Sequence, residues 1–204
     1  MLRTIRECWD VIENWQGFRT DAFLKSLLSG ISADDLIRLE DRLDCFLPTS
    51  FRQSLLIHEG ETGETVGLFC CNSLLASDAI LQMSQAFIRL LDEAPSWDLP
   101  IATYGCVRAD YWHPKWIPFT NASGNPFYAL DLYPAEGGAV GQVILVDDDS
   151  FSRSVVAESY LEWLSRYCDA LDGGRIEQPT DDSILYIDGQ GVLSLASRFS
   201  GGHD

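Results

Sequence analysis

Three runs of strand composition, WIPFT (116–120), PFYALDL (126–132) and GQVILV (141–146), follow one another across short, turn-rich connections. Parallel neighbours require a crossover of about a dozen residues or more, usually a helix, so runs this close must pair antiparallel as a meander. Gly124 and Asn125 are turn residues that tolerate positive φ, and they predict a hairpin joining 116–120 to 127–132. Glycines 137, 138 and 141 precede a strand. A phosphate loop follows a strand and opens a helix, so these glycines read as a β-turn.

The residues before Pro100 carry a different period. Leu2, Ile5, Trp9 and Ile12 recur at spacings of three and four, which predicts a helix ending before Gly17. Ser32 in SADD caps a second helix with its stripe at Leu36, Leu39 and Leu43. Leu47-Pro48 breaks that helix and opens a third through Phe51, Leu55 and Leu56 to a stop at Gly60. TVGLFC (65–70) has strand composition. Ser77 caps a long helix carrying Ile80, Leu81, Phe87, Ile88 and Leu91 before Pro95. Beyond the meander, Val155 to Leu171 returns to helical spacing with Val156, Tyr160, Leu161, Leu164 and Cys168 near one stripe, and Gly173-Gly174 ends it.

Helices flanking a largely antiparallel or mixed sheet make this an α+β fold, with one domain over 1–174. A C-terminal extension over 175–204 follows. In it Pro179 and Asp181-Asp182 suggest a short linker, and two apolar runs around Asp188-Gly189-Gln190-Gly191 suggest a hairpin.

Composition narrows the function classes. Thirty-one acidic against fourteen basic side chains give a net charge of −17, a field that repels phosphate backbones and anionic lipid, so direct nucleic-acid or membrane binding is not expected. The same excess would speed encounter with a basic partner. No apolar stretch reaches the roughly 20 residues of a membrane span, and charges interrupt MLRTIRECWDVIENW where a signal peptide needs its apolar centre. A cytoplasmic protein is expected. Six cysteines without CxxC spacing, two of them adjacent at Cys70 and Cys71, read as reduced thiols.

Catalytic chemistry finds little to use. Three histidines are present, and His203 lies in a terminal GGHD. His58 lacks the second histidine of a zinc helix, and Asp147, Asp148 and Asp149 lack the alternating donors and distal glutamate of a calcium loop. Cys106 and His113 have no nucleophile context around them. No catalytic residue, metal site or cofactor is assigned. WHPKW (112–116) is too polar to be wholly interior, which makes its aromatics candidates for an interface or groove.

The order of the pieces carries more than any one of them. LEDRLDCFLPTSFRQSLLIHEG, then HPKWIPFTNASGNPFYALDLYPAEGGAVGQVI, then SVVAESYLEWLSRYCDALDGG, resembles the SUKH superfamily over about Trp9 to Gly173. The likeness is to its Smi/Knr branch of fungal cell-wall assembly regulators and their bacterial relatives. The family pattern falls on Glu40, Leu47, Pro48, Phe51, Leu55 and Gly60. It continues through Trp116, Pro118, Gly124, Asn125, Asp131, Leu132, Pro134, Gly138, Gly141, Gln142, Val143 and Ile144, and ends on Val156, Ala157, Ser159, Tyr160, Trp163 and Leu164. Glu59 stands where asparagine is usual, and Asn121 where aspartate is common.

The resemblance implies an α+β fold, no enzymatic activity and a protein-binding role. Two forms of that role follow from it. The first is a bacterial immunity protein that occludes a cognate toxin domain, whose basic character would match the acidic excess. The alternative is a regulatory scaffold of the fungal cell-wall type. A small-molecule sensor or hydrolase using the groove near Trp112 stands behind both. The expected interaction residues are Trp112, His113 and Trp116, joined by Asn121 and Asp131 if those two face a groove.

Overall fold

The computed structural model describes residues 3–63, 67–70, 72–93, 100–121, 126–180, 183–187 and 192–193; for 179–180 and beyond it describes the backbone. Gly124 and Asn125, Pro95, Cys71, Asp181-Asp182, the loop 188–191 and His203 lie outside the described residues.

Four helices lead the chain: α1 (Ile5–Glu13), α2 (Ala22–Ser26), α3 (Ala33–Leu43) and α4 (Thr49–Leu55). A capping box fixes the start of α1, with Thr4 accepting from the Glu7 amide while the Glu7 carboxylate accepts from the Thr4 amide. Ser32 caps α3 through the Asp35 amide, as its sequence predicts. At the other end of α3, Asp44 takes the left-handed conformation (φ 50°) and turns the chain. The buried Glu40 carboxylate accepts the Leu47 amide at 2.8 Å, with Arg52 3.4 Å away, and so fixes the corner at which Pro48 opens α4.

The strand expected at 65–70 is not formed over 67–70, the part of it that the structure describes. Residues 68–70 are a turn closed by reciprocal backbone bonds between Phe69 and Asn72, and Cys70 has φ 50°. Leu68, Phe69 and Cys70 are apolar because all three point into the core, where an extended conformation is not needed. The turn is held by buried Glu61, whose carboxylate accepts the amides of Leu68 and Leu74 at 3.1 and 2.6 Å.

Two residues of β1 (Ser73–Leu74) then lead into the long helix α5 (Ser77–Glu93). After it come β2 (Ala102–Tyr104), β3 (Trp116–Pro118), β4 (Thr120–Asn121), β5 (Phe127–Asp131), β6 (Gln142–Asp147) and β7 (Ser152–Ala157). The main sheet has the order β2-β7-β6-β5-β3. Its strands are antiparallel from β3 to β7, and β2 joins the open side of β7 in parallel, making the sheet mixed. A separate ladder pairs β1 with β4.

Val155 and Val156, expected in a helix, belong to β7. Their β-branched side chains suit the strand, and α6 (Tyr160–Asp172) starts only after Ser159 caps the Glu162 amide. The chain closes with β8 (Ile176–Thr180), β9 (Ser183–Ile187) and β10 (Val192–Leu193) as a three-stranded antiparallel sheet. The predicted hairpin is β9–β10, and the segment expected to be a linker supplies β8.

Alternation along the central strands splits the interior in two. Tyr128, Leu130, Val143 and Leu145 face α1, α4 and α6 in the larger core, around Trp9, Phe51, Phe69 and Trp163. Phe127, Ala129, Ile144 and Val146 face the smaller core, which Val107, Trp112 and Trp116 complete and on which Phe87 and Leu91 of α5 pack. Both faces of the sheet are covered, so β5 and β6 read as near-continuous apolar runs. Among the described residues, no helix is long and apolar enough to cross a membrane.

Candidate functional site

At the end of the sheet where β5 stops and β6 begins, the β2–β3 and β5–β6 connections meet around one buried carboxylate. Asp131 lies at the last position of β5 with no exposure to solvent. Its Oδ1 accepts the Trp116 indole N–H at 3.0 Å and the Tyr133 amide at 2.9 Å; its Oδ2 accepts Gln142 Nε2 at 2.9 Å. Gln142 also donates to the Cys106 carbonyl at 2.9 Å and accepts the Ala139 amide at 3.2 Å. The network therefore ties the loop after β2, the start of β3 and both ends of the 132–141 connection to one another. Burial raises the Asp131 carboxyl above the usual carboxylate range, against the pull of the Tyr133, Gln142 and Trp116 donors.

Glycine is required at two points of the 132–141 loop. A Cβ on Gly138 would come within 2.7 Å of the Cys106 carbonyl and 2.6 Å of Pro134. Gly141 has φ +87°, donates to the Asp131 carbonyl at 2.7 Å, and would meet Pro48 at 2.9 Å if it carried a Cβ. This last contact seats the loop against the α3–α4 corner. Lys115 makes the second link to that corner, donating to the Asp44 carbonyl at 2.6 Å and pairing with its carboxylate at 3.5 Å.

The side chains expected to form a binding surface divide sharply. Trp112 is 3% exposed, stacked on Phe87 with ring centroids 4.1 Å apart and edge-on to Trp116 at 5.7 Å. Trp116 has no exposure, and Asp131 is engaged as described. These three are interior groups that shape the end of the sheet from within. His113 is half-buried, stacked on Tyr133 at 4.8 Å, and its Nδ1 accepts the Lys115 amide at 3.1 Å. Burial lowers the pKa of its imidazole. Asn121 lies apart from the other four, exposed on β4. It lines a separate groove of about 440 Å³ with Leu28, Thr62, Ser73 and Ala79.

What this end of the molecule shows to solvent was not singled out by residue pattern. Phe46 at the α3–α4 corner is 88% exposed, Val140 at the tip of the 132–141 loop 74%, and Tyr133 52%. Arg108 lies over the Tyr133 ring at 5.0 Å and pairs with Asp110 at 3.1 Å. The available signal was an apolar residue standing inside a turn, where polar residues are the rule. Among the described residues, no group of three or more His, Cys, Asp or Glu side chains is placed to hold a metal ion. The arrangement leaves a partly apolar surface over a buried hydrogen-bond network.

Residues 30–166 match the SMI1 / KNR4 family (SUKH-1). The cell wall biosynthesis/cell cycle regulator smi1 of Schizosaccharomyces pombe is 29% identical over 197 residues, covering 90% of this chain and 39% of its own length. The glucan synthesis regulatory protein of Neurospora crassa is 27% identical, with 89% and 41% covered. The cell wall assembly regulator SMI1 of Saccharomyces cerevisiae is 24% identical, with 95% and 45% covered. The chain spans about two fifths of the length of these curated relatives. With α3, α4, α5, the first half of α6 and the whole five-stranded sheet inside the matched segment, the chain belongs to the SMI1/KNR4 family (SUKH-1).

Proposed function

We propose that this chain is a non-catalytic, protein-binding regulatory domain of the kind that controls fungal cell-wall assembly. The supporting observation is that proteins named as cell-wall and glucan-synthesis regulators align with about nine tenths of it. This reverses the order suggested by sequence: the regulatory reading now stands ahead of the immunity protein.

A segment swap tests the role. In fission yeast, the matching segment of the smi1 relative is replaced by this chain. Growth on a cell-wall-binding dye and the wall glucan content are then compared with a strain lacking the segment. Restoration of both is expected. A swapped protein that accumulates to normal levels and restores neither would remove the proposal.

A further inference from the structure

We propose that the loop-built end of the sheet docks a basic segment of a partner protein, one apolar side chain of which seats between Phe46, Val140 and Tyr133. The proposal rests on the protein-binding role above and names the surface and the chemistry of what it binds.

The apolar part of the argument is exposure without mobility. Phe46 comes from the α3–α4 corner and Val140 and Tyr133 from the 132–141 loop, yet they are fixed relative to one another by two buried carboxylates, Glu40 accepting the Leu47 amide and Asp131 the Tyr133 amide, and by the close approach of Gly141 to Pro48. Such a surface loses little conformational freedom when it binds, the condition under which a small apolar contact yields affinity. Scattered single apolar residues need no explanation, but three on one braced end of the fold do.

The basic character of the occupant follows from charge. The cations at and beside this end each face a carboxylate: Lys115 lies against Asp44, Arg108 is held by Asp110 and the Tyr133 ring, Arg52 faces Glu40, and Arg42 faces Asp78. Asp41 and Glu136 are exposed and have no ion pair among the described residues, while the Asp44 side chain stands fully in solvent. A net charge of −17 on the whole chain extends the attraction to longer range at low salt. An acidic segment would meet repulsion at each of these points.

The test uses the full chain and three fluorescent peptides of equal length as probes: alternating lysine and leucine, alternating lysine and glycine, and alternating glutamate and leucine. The lysine–leucine peptide is expected to bind best, and more weakly as salt rises. Phe46→Ser and Val140→Ser, both at exposed positions that leave the fold intact, should each weaken it about tenfold. Ile37→Ser, an equally conservative change at another exposed apolar site on α3, should leave it unchanged.

Equal binding of the two lysine peptides, absence of binding, or full affinity in both serine variants would overturn the proposal. Self-association abolished by Phe46→Ser would also overturn it, by giving the surface to a second copy of the chain. The segment swap separates the two levels: if it restores growth while the serine variants bind normally, the docking surface is wrong and the regulatory role stands.

Discussion

Removing the carboxylate of Asp131 should unfasten the end of the sheet, and the structure sets the size of the effect. Asp131→Ala leaves three donors without their acceptor. The Trp116 indole N–H is fully buried and bears the whole penalty of an unmatched donor, about 1–3 kcal/mol. Gln142 Nε2 keeps the Cys106 carbonyl, and the Tyr133 amide is near solvent, so each bears a fraction. Eliminating a buried charge returns part of this, for a net loss of about 2–3 kcal/mol. With a urea m-value of about 2 kcal/mol/M the unfolding midpoint falls by about 1 M. Tryptophan fluorescence and far-ultraviolet dichroism should report it together, with amide exchange accelerated at Tyr133, Ala139 and Gly141. A loss below about 0.5 kcal/mol at unchanged m, the level of an ordinary surface substitution, would refute the clamp.

The same residue has a pH signature. Burial raises its carboxyl pKa in the folded state, so folding favours the protonated form. Its contribution is complete below the unfolded value of about 3.9 and declines as pH rises through the folded one. Asp131→Asn does not titrate, and the stability of the wild type relative to it should therefore grow as pH is lowered from 7 towards 4. A difference that shrinks over that range would contradict the assignment.

Three further perturbations follow from the same geometry. Trp112→Ala removes a ring that is 3% exposed and stacked on Phe87; it should cost about 3–5 kcal/mol in urea unfolding, so that any loss of partner binding tracks the unfolded fraction. Glu61→Ala deprives the Leu68 and Leu74 amides of their acceptor and should cost about 3 kcal/mol, with exchange at those two amides accelerated most and Glu61→Gln retaining part of the stability. Gly141→Ala combines φ +87° with a contact on Pro48, and should lower stability by about 1–2 kcal/mol in thermal denaturation while leaving the Trp116 environment unchanged.

The fold was legible wherever a local rule sufficed. Ser32 with its acidic first turn, Leu47-Pro48 at the corner, and the short connections of the meander each determine structure from neighbouring residues, and each is found. The failures share a cause. Leu68 to Cys70 and Val155 to Ala157 are short apolar runs, whose composition reports burial without saying whether the backbone is turn, strand or helix. β2 is three exposed residues made a strand only by pairing with β7, some fifty positions away in sequence. β8 runs through Pro179, the residue that suggested a linker; a register irregularity between Glu177 and Thr180 falls where it sits.

The loop-built end of the sheet was harder to read because burial there inverts expectation. Trp112 and Trp116 have polar neighbours in sequence, but a turn closed by the Trp116 amide on the His113 carbonyl sends both rings inward and leaves Pro114 exposed, with His113 and Lys115 half-buried. At the α3–α4 corner the opposite happens. Glu40 draws the Leu47 amide inward, Leu47 takes the buried position at 4% exposure, and the left-handed turn at Asp44 leaves Phe46 facing outward. Keeping that phenyl ring in water forgoes about 2 kcal/mol that burial would provide. Phe46 cannot recover it by moving inward, because Leu47 fills the adjacent site and Pro48 starts the next helix. A braced corner that holds a phenylalanine out of its own core leaves that free energy for whatever covers the ring, which makes Phe46 the first position at which to weaken binding without disturbing the fold.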